Sequence, residues 1–433
     1  MASGFFSVSE ENFSNIFVKL IYINSDPIVA ASVAMTRKRP VSDAPSLSGT
    51  NLQRAGDYNQ RVTLQAIRVN GPCTRAELAE ITGLTAPSIS NITKRLQDDG
   101  LILEAGRRTG QRGSPATRLA INPEGCFSIG VNIDRDHVSA ALVDFSGAIR
   151  ARFIEAVDYP MPEDARKILE RALNQLMKDR QPLDTRLIGV GVALPDDMGG
   201  VAFQNRPANY GVWNSTNLKR LFPTLAHLPL YTENDAAAAA LAELHFGDGE
   251  RRSNFFYVLL TWGLGGSLVI RGEVYRGADG RSGEIGFLPV SGQAKDGVHL
   301  QEIVSLSTLS GRLSNAGFAV HSPADLLDLP PGAQSIVETW LMDTIEQLTP
   351  ALLAINSLIN PEAVFIGGRL PQPFLSQLVQ GLSARLPKAE AAPIIAPTLA
   401  ASFGEDAPLI GAAMLPIWDR LLPTDSALRK VVS

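Results

Sequence analysis

Cysteine is almost absent: two in 433 residues, Cys73 and Cys126. They fit neither a disulfide framework nor a metal-binding spacing and read as two small buried residues. Long apolar runs are missing as well, none approaching the roughly 20 residues of a membrane span. The most apolar early stretch, residues 16–34, is broken by Lys19, Asn24, Asp26 and Pro27 and has no basic leader, which argues against a secretion signal. A cytoplasmic protein with no membrane partner is expected. The chain also lacks a strong charge of either sign, its formal net charge being -5. Any nucleic-acid surface must therefore be a local patch. What is present is ordinary globular material, 45% hydrophobic, enough for two or three cores.

Residues 1–55 differ from the rest, with a Thr36-Arg37-Lys38-Arg39-Pro40 run and a Ser/Pro/Gly-rich segment to Gly49. A disordered tail is expected there, with Met35 an alternative start. The short basic run reads as solvated or as a phosphate contact.

Residues 59–113 carry the first functional pattern. Leu64, Ile67 and Val69 form an apolar stripe that stops at Gly71-Pro72, and residues 76–84 make a short helix closed by glycine. Thr85 can cap a second helix in which Ile89, Ile92 and Leu96 recur at helical spacing, while Ser88, Asn91, Lys94 and Arg95 face elsewhere. Two strands, residues 101–104 and 117–121, then flank a glycine-rich turn bearing Arg107, Arg108 and Arg112. Helix, tight turn, helix and basic hairpin in this order predict a winged helix-turn-helix over 56–122, the second helix in the major groove and the wing on phosphates or in the minor groove. Between Thr85 and Arg118 six basic residues (Lys94, Arg95, Arg107, Arg108, Arg112, Arg118) face three acidic ones (Asp98, Asp99, Glu104). The DNA-binding candidates are Thr85, Ser88, Asn91, Lys94, Arg95, Arg107, Arg108 and Arg112.

From Phe127 the pattern turns to strands: 127–133, 138–144 and a third after Gly147. About 130 residues on it recurs, with strands at 255–260 and 267–271, a turn over Thr261–Gly266, and a third strand from Glu273. Helical stretches near 164–178, 234–245 and 336–358 alternate with them, predicting two similar α/β lobes over 126–425 with a ligand cleft between.

These segments carry a resemblance. Arg75-Ala76-Glu77-Leu78-Ala79 with Thr82-Gly83-Leu84-Thr85, Glu233-Asn234-Asp235-Ala236, Gly277-Ala278 through Gly283-Glu284-Ile285-Gly286, Asn360-Pro361-Glu362 with Ile366-Gly367-Gly368, and Gly411-Ala412-Ala413 follow in the order found in the ROK family (repressor, open reading frame, kinase). The resemblance spans about 59–418. It implies an N-terminal winged helix on a two-lobed, actin-like (ribonuclease H-like) sugar-kinase fold. It also implies a homodimer or higher homo-oligomer and a sugar-contacting set of Asn209, Asn234, Asp235 and Glu284, Asp235 standing where family kinases keep their base.

The departures matter as much. Family kinases hold ATP phosphates with Asp-x-Gly-Gly-Thr-Lys, where this chain has Asn132-Ile133-Asp134-Arg135-Asp136-His137, and with Gly-Thr-Gly-x-Gly-Gly, where it has Thr261-Trp262-Gly263-Leu264-Gly265-Gly266. Asp134 and Asp136 would face a triphosphate, and each like-charge pair near 4 Å costs about 1 kcal/mol in water and about 4 at a protein-surface dielectric. Phosphoryl transfer rests on positioning and electrostatics, so no kinase activity and no cofactor are expected. The family's zinc loop is cysteine-free here, and His299 alone cannot supply roughly four ligands, so no metal is expected. The family's sugar-binding glutamate falls at Gln301, or at Glu302 if the loop shifts by one. Phe287 replaces a histidine, suiting an apolar ligand part or a packed core; a ligand other than a common hexose, or none, stays open.

The expectation is a sugar-responsive transcriptional repressor of carbohydrate uptake or catabolism genes, reading an inverted-repeat operator as a dimer. The rivals are a ROK sugar kinase with an appended DNA module and a ligand-independent DNA-binding protein.

Overall fold

Helix α1 (Leu52–Asn70) turns Leu64, Ala66 and Ile67 into a buried stripe. The computed structural model describes residues 52–107, 116–178, 186–196, 198, 206–290, 297–386 and 395–423. Most of the expected tail lies outside them, but α1 starts at Leu52, so residues 52–55 are helix. Val69 is 43% exposed and leaves the stripe, because the helix ends one residue later and its last turn clears the core.

Strand β1 (Cys73–Thr74) leads into α2 (Arg75–Thr82), opened by a reciprocal capping box: the Glu77 amide donates to Thr74 Oγ1 at 3.3 Å and the Thr74 amide to Glu77 Oε2 at 2.8 Å. Gly83 closes α2 at φ +69°, a conformation costly for any residue with a Cβ. Thr85 caps α3 (Ala86–Asp98), whose Ile89, Ile92 and Leu96 are buried. Strands β2 (Ile102–Arg107) and β3 (Thr117–Ile121) complete a sheet of order β1-β3-β2. Residues 108–115, the tip of the expected wing, lie outside the described residues.

The first lobe is built on β4 (Phe127–Ile133), β5 (His137–Asp144), β6 (Ile149–Ala156), β7 (Leu187–Leu194) and β8 (Leu230–Asn234), in the order β6-β5-β4-β7-β8. The second has β9 (Phe255–Leu260), β10 (Leu264–Ile270), β11 (Glu273–Tyr275), β12 (Ala363–Gly368) and β13 (Thr398–Ala400), in the order β11-β10-β9-β12-β13. In each, the first three strands are antiparallel and the last two join in parallel, so the internal repeat is real. The second turn is shorter than expected: β10 begins at Leu264, and Gly265 and Gly266 pair with Leu259 and Val258, leaving Thr261–Gly263 as the loop. Two glycines there let β10 run close beneath its neighbours, which is a strand role rather than a turn role.

Helix α4 (Pro162–Leu176) covers the first sheet. Helix α5 (Asp235–Phe246) packs on β9 and β10, α10 (Ala407–Leu421) on β4 and β7, and the two helices on each other. The second lobe's core is closed by α6 (Gln301–Val304), α7 (Leu306–Asn315), α8 (Pro331–Ile359) and α9 (Gln372–Arg385). No helix of the described residues is long and apolar enough to cross a membrane.

Candidate DNA-reading surface and interlobe site

With Ile89, Ile92 and Leu96 turned inward, α3 presents Asn91, Lys94 and Arg95 to solvent and leaves Ser88 half-buried. Thr85 and Ser88 are engaged with each other, their hydroxyls 2.9 Å apart, and Thr85 accepts the Ser88 amide. Their first task is therefore capping. Arg75, which the sequence pattern did not single out, locks α2 to α3 by donating to Thr93 Oγ1 at 2.9 Å and Gln97 Oε1 at 3.1 Å. Arg118 donates to the Pro72 carbonyl. The backbone of Arg107 ends β2 opposite Thr117, whereas its side chain, Arg108 and Arg112 fall outside the described residues.

This module is bonded to the lobes rather than strung from them. Leu64 and Ile67 share an apolar cluster with Phe145, Met414, Ile417 and Leu422. Arg61 donates to the carbonyls of Asp419 (2.7 Å) and Leu422 (3.1 Å) at the end of α10. Arg68 donates to the His245 carbonyl (2.8 Å) and reaches His245 Nδ1 (3.1 Å) at the end of α5, its guanidinium 5.5 Å from the Phe246 ring centre. Burial first, and the Arg68 charge second, push His245 down to about 3, so its ring is neutral and accepts.

At the other end of α5 lies the cleft. The first hairpin turn does not offer bare carboxylates to a ligand, as its sequence suggested. Asp134 is fully buried, accepts the Arg135 amide at 2.7 Å and stands 3.6 Å from the Arg135 guanidinium. Asp136 is bonded to His137 Nδ1 at 2.7 Å and ion-paired with Arg369, which comes from the second lobe just after β12. Burial alone would raise the Asp136 carboxyl, but His137 and Arg369 outweigh it and hold it below its ordinary range. The network continues through Glu405 to Arg152 and Asp406. Asp134, Asp136 and His137 bring ligand-type atoms within 4.8 Å of one another. However, His137 spends Nδ1 on Asp136 and Nε2 on Asn132, so the trio is an ion-pair network across the lobes.

Two amides of this turn are also spent, that of Asp134 on the His137 carbonyl and that of Arg135 on Asp134 Oδ1. In the second turn the Thr261 amide donates to Gly263, and the amides of Leu306 and Ser307, heading α7, donate to the carbonyls of Thr261 and Trp262. The Trp262 indole donates to Tyr159 Oη at 3.4 Å, joining ring to ring across the cleft.

The expected sugar set is only partly assembled. Asn234 Oδ1 caps α5, accepting the amides of Ala236 (2.9 Å) and Ala237 (3.1 Å). Asn234 and Glu284 line a pocket of about 20 Å³, room for a water molecule rather than a sugar. Asp235, Asn209 and Gln301 do not line it. Asp235 is buried beside it, pushed up to about 7 by burial and then by Asp134. Asn209 is exposed ahead of the 3-10 turn Tyr210–Ser215. Gln301 is buried against Gly286, while Glu302 is exposed and bonded to His299. Phe287 is 39% exposed with its ring 5.9 Å from His299, so it is not a packed core residue.

The sequence pattern of the ROK family matches residues 128–417, and that of the MarR family residues 57–112. An uncharacterized protein of Sinorhizobium fredii is 27% identical over 371 residues, covering 83% of this chain and 91% of that protein. The xylose repressor of Bacillus spizizenii is 28% identical over 235 residues, 54% of this chain and 60% of its own length. The DNA-binding transcriptional dual regulator NagC of Escherichia coli is 26% identical over 347 residues, 74% of this chain and 83% of NagC. Among solved structures, a ROK family transcriptional regulator, a homologue of the E. coli MLC protein, superposes with a TM-score of 0.62 at 22% identity over 85% of this chain and 98% of that one.

Proposed function

The chain belongs to the ROK family, and from that premise we propose that it is a sugar-responsive repressor that binds operator DNA through α3 and the hairpin after it. The observation that carries this reading is the bonded junction. One helix, α5, begins at Asp235 in the cleft and ends at Phe246, and Arg68 of the DNA-reading module holds the carbonyl of His245 in its last turn. The xylose repressor and NagC, both similar to this chain, are named as regulators.

In this reading Asn91, Lys94 and Arg95 meet the operator, with Thr85 and Ser88 shaping the helix start and Arg107, Arg108 and Arg112 on the wing. A sugar enters by opening the cleft around Asn234, Asp235 and Glu284, with Asn209 and Gln301 closing on it. It changes DNA affinity only insofar as it binds the open and closed forms unequally. A symmetric homodimer would place two modules on an inverted repeat of carbohydrate-gene operator DNA. Kinase activity is disfavoured because the Asp134, Arg135 and Thr261 amides are spent within the protein and the carboxylates of the first turn are tied to arginines.

Capture of fragmented genomic DNA by the purified protein at physiological salt, with and without mixed sugars, tests this. Enrichment of a few inverted-repeat sites that changes with sugar supports it. ATP binding with sugar-dependent ADP release would replace it with the kinase reading.

A further inference from the structure

Outside the expected sugar set, a second opening lies between the lobes. It is a cavity of about 580 Å³ with Tyr159, Pro207 and Asp136 on one wall and Trp262, Leu309 and Val320 on the other. Small-molecule sites commonly measure roughly 300–1,000 Å³. Its aromatic pair is held rigidly. Tyr159 and Trp262 stand at 87° with centroids 6.5 Å apart, and Tyr159 packs edge-on against buried Tyr210 at 5.3 Å. The Tyr159 amide is fixed to the Arg135 carbonyl at 2.7 Å, and the Trp262 carbonyl to the Ser307 amide at 3.3 Å.

The chemistry of the walls selects the occupant. No lysine or arginine lines the cavity among the described residues, while the carboxylates of Asp136 and Asp158 do. The head of α7, where helix amides could meet an anion, is filled by the Thr261 and Trp262 carbonyls and the Ser305 hydroxyl. Phosphate therefore finds no lysine or arginine on the described walls and no free amide at the head of α7. Rings, leucines and valine offer stacking and apolar contact, and Ser310, Ser322 and His321 offer hydrogen bonds at the edge.

We propose that this cavity is a second ligand site, for an uncharged molecule carrying a flat apolar group edged with hydroxyls, of the aryl-glycoside kind, and that it rejects phosphorylated compounds. The test is calorimetric titration of the full chain, without DNA, with 4-nitrophenyl β-D-glucopyranoside, 4-nitrophenyl phosphate and free glucose. Saturable binding of the aryl glucoside is expected, with none of the phosphate ester and no competition by glucose. Trp262→Ala should weaken binding about tenfold or more, Trp262→Phe should restore most of it, and Ser310→Trp should block the cavity. No saturable binding, affinity unchanged by both Trp262→Ala and Ser310→Trp, or equal binding of the phosphate ester would overturn the proposal. If Trp262→Ala does not fold, Ser310→Trp decides alone. Because neither operator nor free sugar enters the measurement, its failure leaves the repressor reading standing, and failure of the genomic capture leaves this one standing.

Discussion

Replacing Arg68 by alanine removes the bonded contact between the DNA-reading module and α5. The wild-type guanidinium makes two contacts with His245, at 2.8 and 3.1 Å, and lies 5.5 Å from the Phe246 ring centre. Hydrogen bonds from a charged donor contribute about 1.5–3 kcal/mol each, and an exposed cation–π contact about 0.5–1. Arg68 is half-buried and water replaces part of what is lost, so about 2–3 kcal/mol is the expected net cost to docking. At about 1.4 kcal/mol per decade, the last turns of α1 should exchange their amide hydrogens roughly 30- to 150-fold faster. In a gel-shift titration, operator affinity without sugar should change little while the difference made by sugar shrinks, since the helix that carries the signal no longer grips the module. Hydrogen exchange followed by mass spectrometry over residues 60–70 is the assay. Exchange within about threefold of wild type, together with an intact sugar response, would refute both the energetics and the route through α5.

Asp235→Asn should blunt the sugar response and remove a pH effect. Wild-type Asp235 sits at about 7 in the fold, above its ordinary 3.8, so the neutral carboxyl stabilises fully below about pH 4 and that contribution is lost as pH rises through 7. The asparagine variant should therefore be the more stable protein at pH 8, by up to about 4 kcal/mol, and equal near pH 4; equal urea midpoints at pH 8 would contradict this. Arg369→Ala leaves the largely buried Asp136 carboxylate with His137 alone and should cost up to about 3–5 kcal/mol in denaturant unfolding, with Asp136→Asn in the same chain recovering much of it; a cost under about 1 kcal/mol would mean that the ion pair is not holding the lobes. Lys94→Ala should weaken operator binding similarly across sequences and lower the salt-dependence slope by about 0.9, with an unchanged slope removing Lys94 from the phosphate contacts.

The sequence made legible what depends on local rules. Gly83 and Thr85 announce their helix ends because capping is a matter of adjacent residues, and Ile89, Ile92 and Leu96 announce a buried face by spacing alone. The repeat of three antiparallel strands was readable for the same reason. Hidden were contacts between residues far apart in the chain. Nothing in the local pattern around Arg369 says that it reaches Asp136, 233 positions away, or that Arg68 meets His245 across 177. The sign of a charged turn cannot be judged from the turn alone, which is why Asp134 and Asp136 read as repulsive until their arginine partners were in place. The small pocket at Asn234 and the larger cavity at Trp262 are likewise products of how two lobes close.

The glycines of the two lobes separate scaffold from chemistry. A Cβ on Gly130 would lie 2.0 Å from the Leu409 carbonyl oxygen, on Gly191 1.8 Å from that of Ala412, and on Gly411 1.6 Å from that of Ala238. Each marks a place where α5, α10 and the first sheet touch backbone to backbone, and none touches a ligand site. At the first hairpin turn, where a kinase of this family would place glycines to admit phosphate, the chain has Asp134 and Arg135 instead. The close packing of α5 on α10 is thus present, and at the first turn side chains stand where that glycine opening would be. A body so built can still open and close about a ligand, and its two helices end at the carbonyls of His245, Asp419 and Leu422, which Arg68 and Arg61 hold. On the repressor reading, closure of the cleft and the set of the DNA-reading module would then be one movement. On the repressor reading, phosphoryl transfer can be dropped and the switch kept, because the contacts that join α5 to α10 and the first sheet lie at these glycines and not in the phosphate loops.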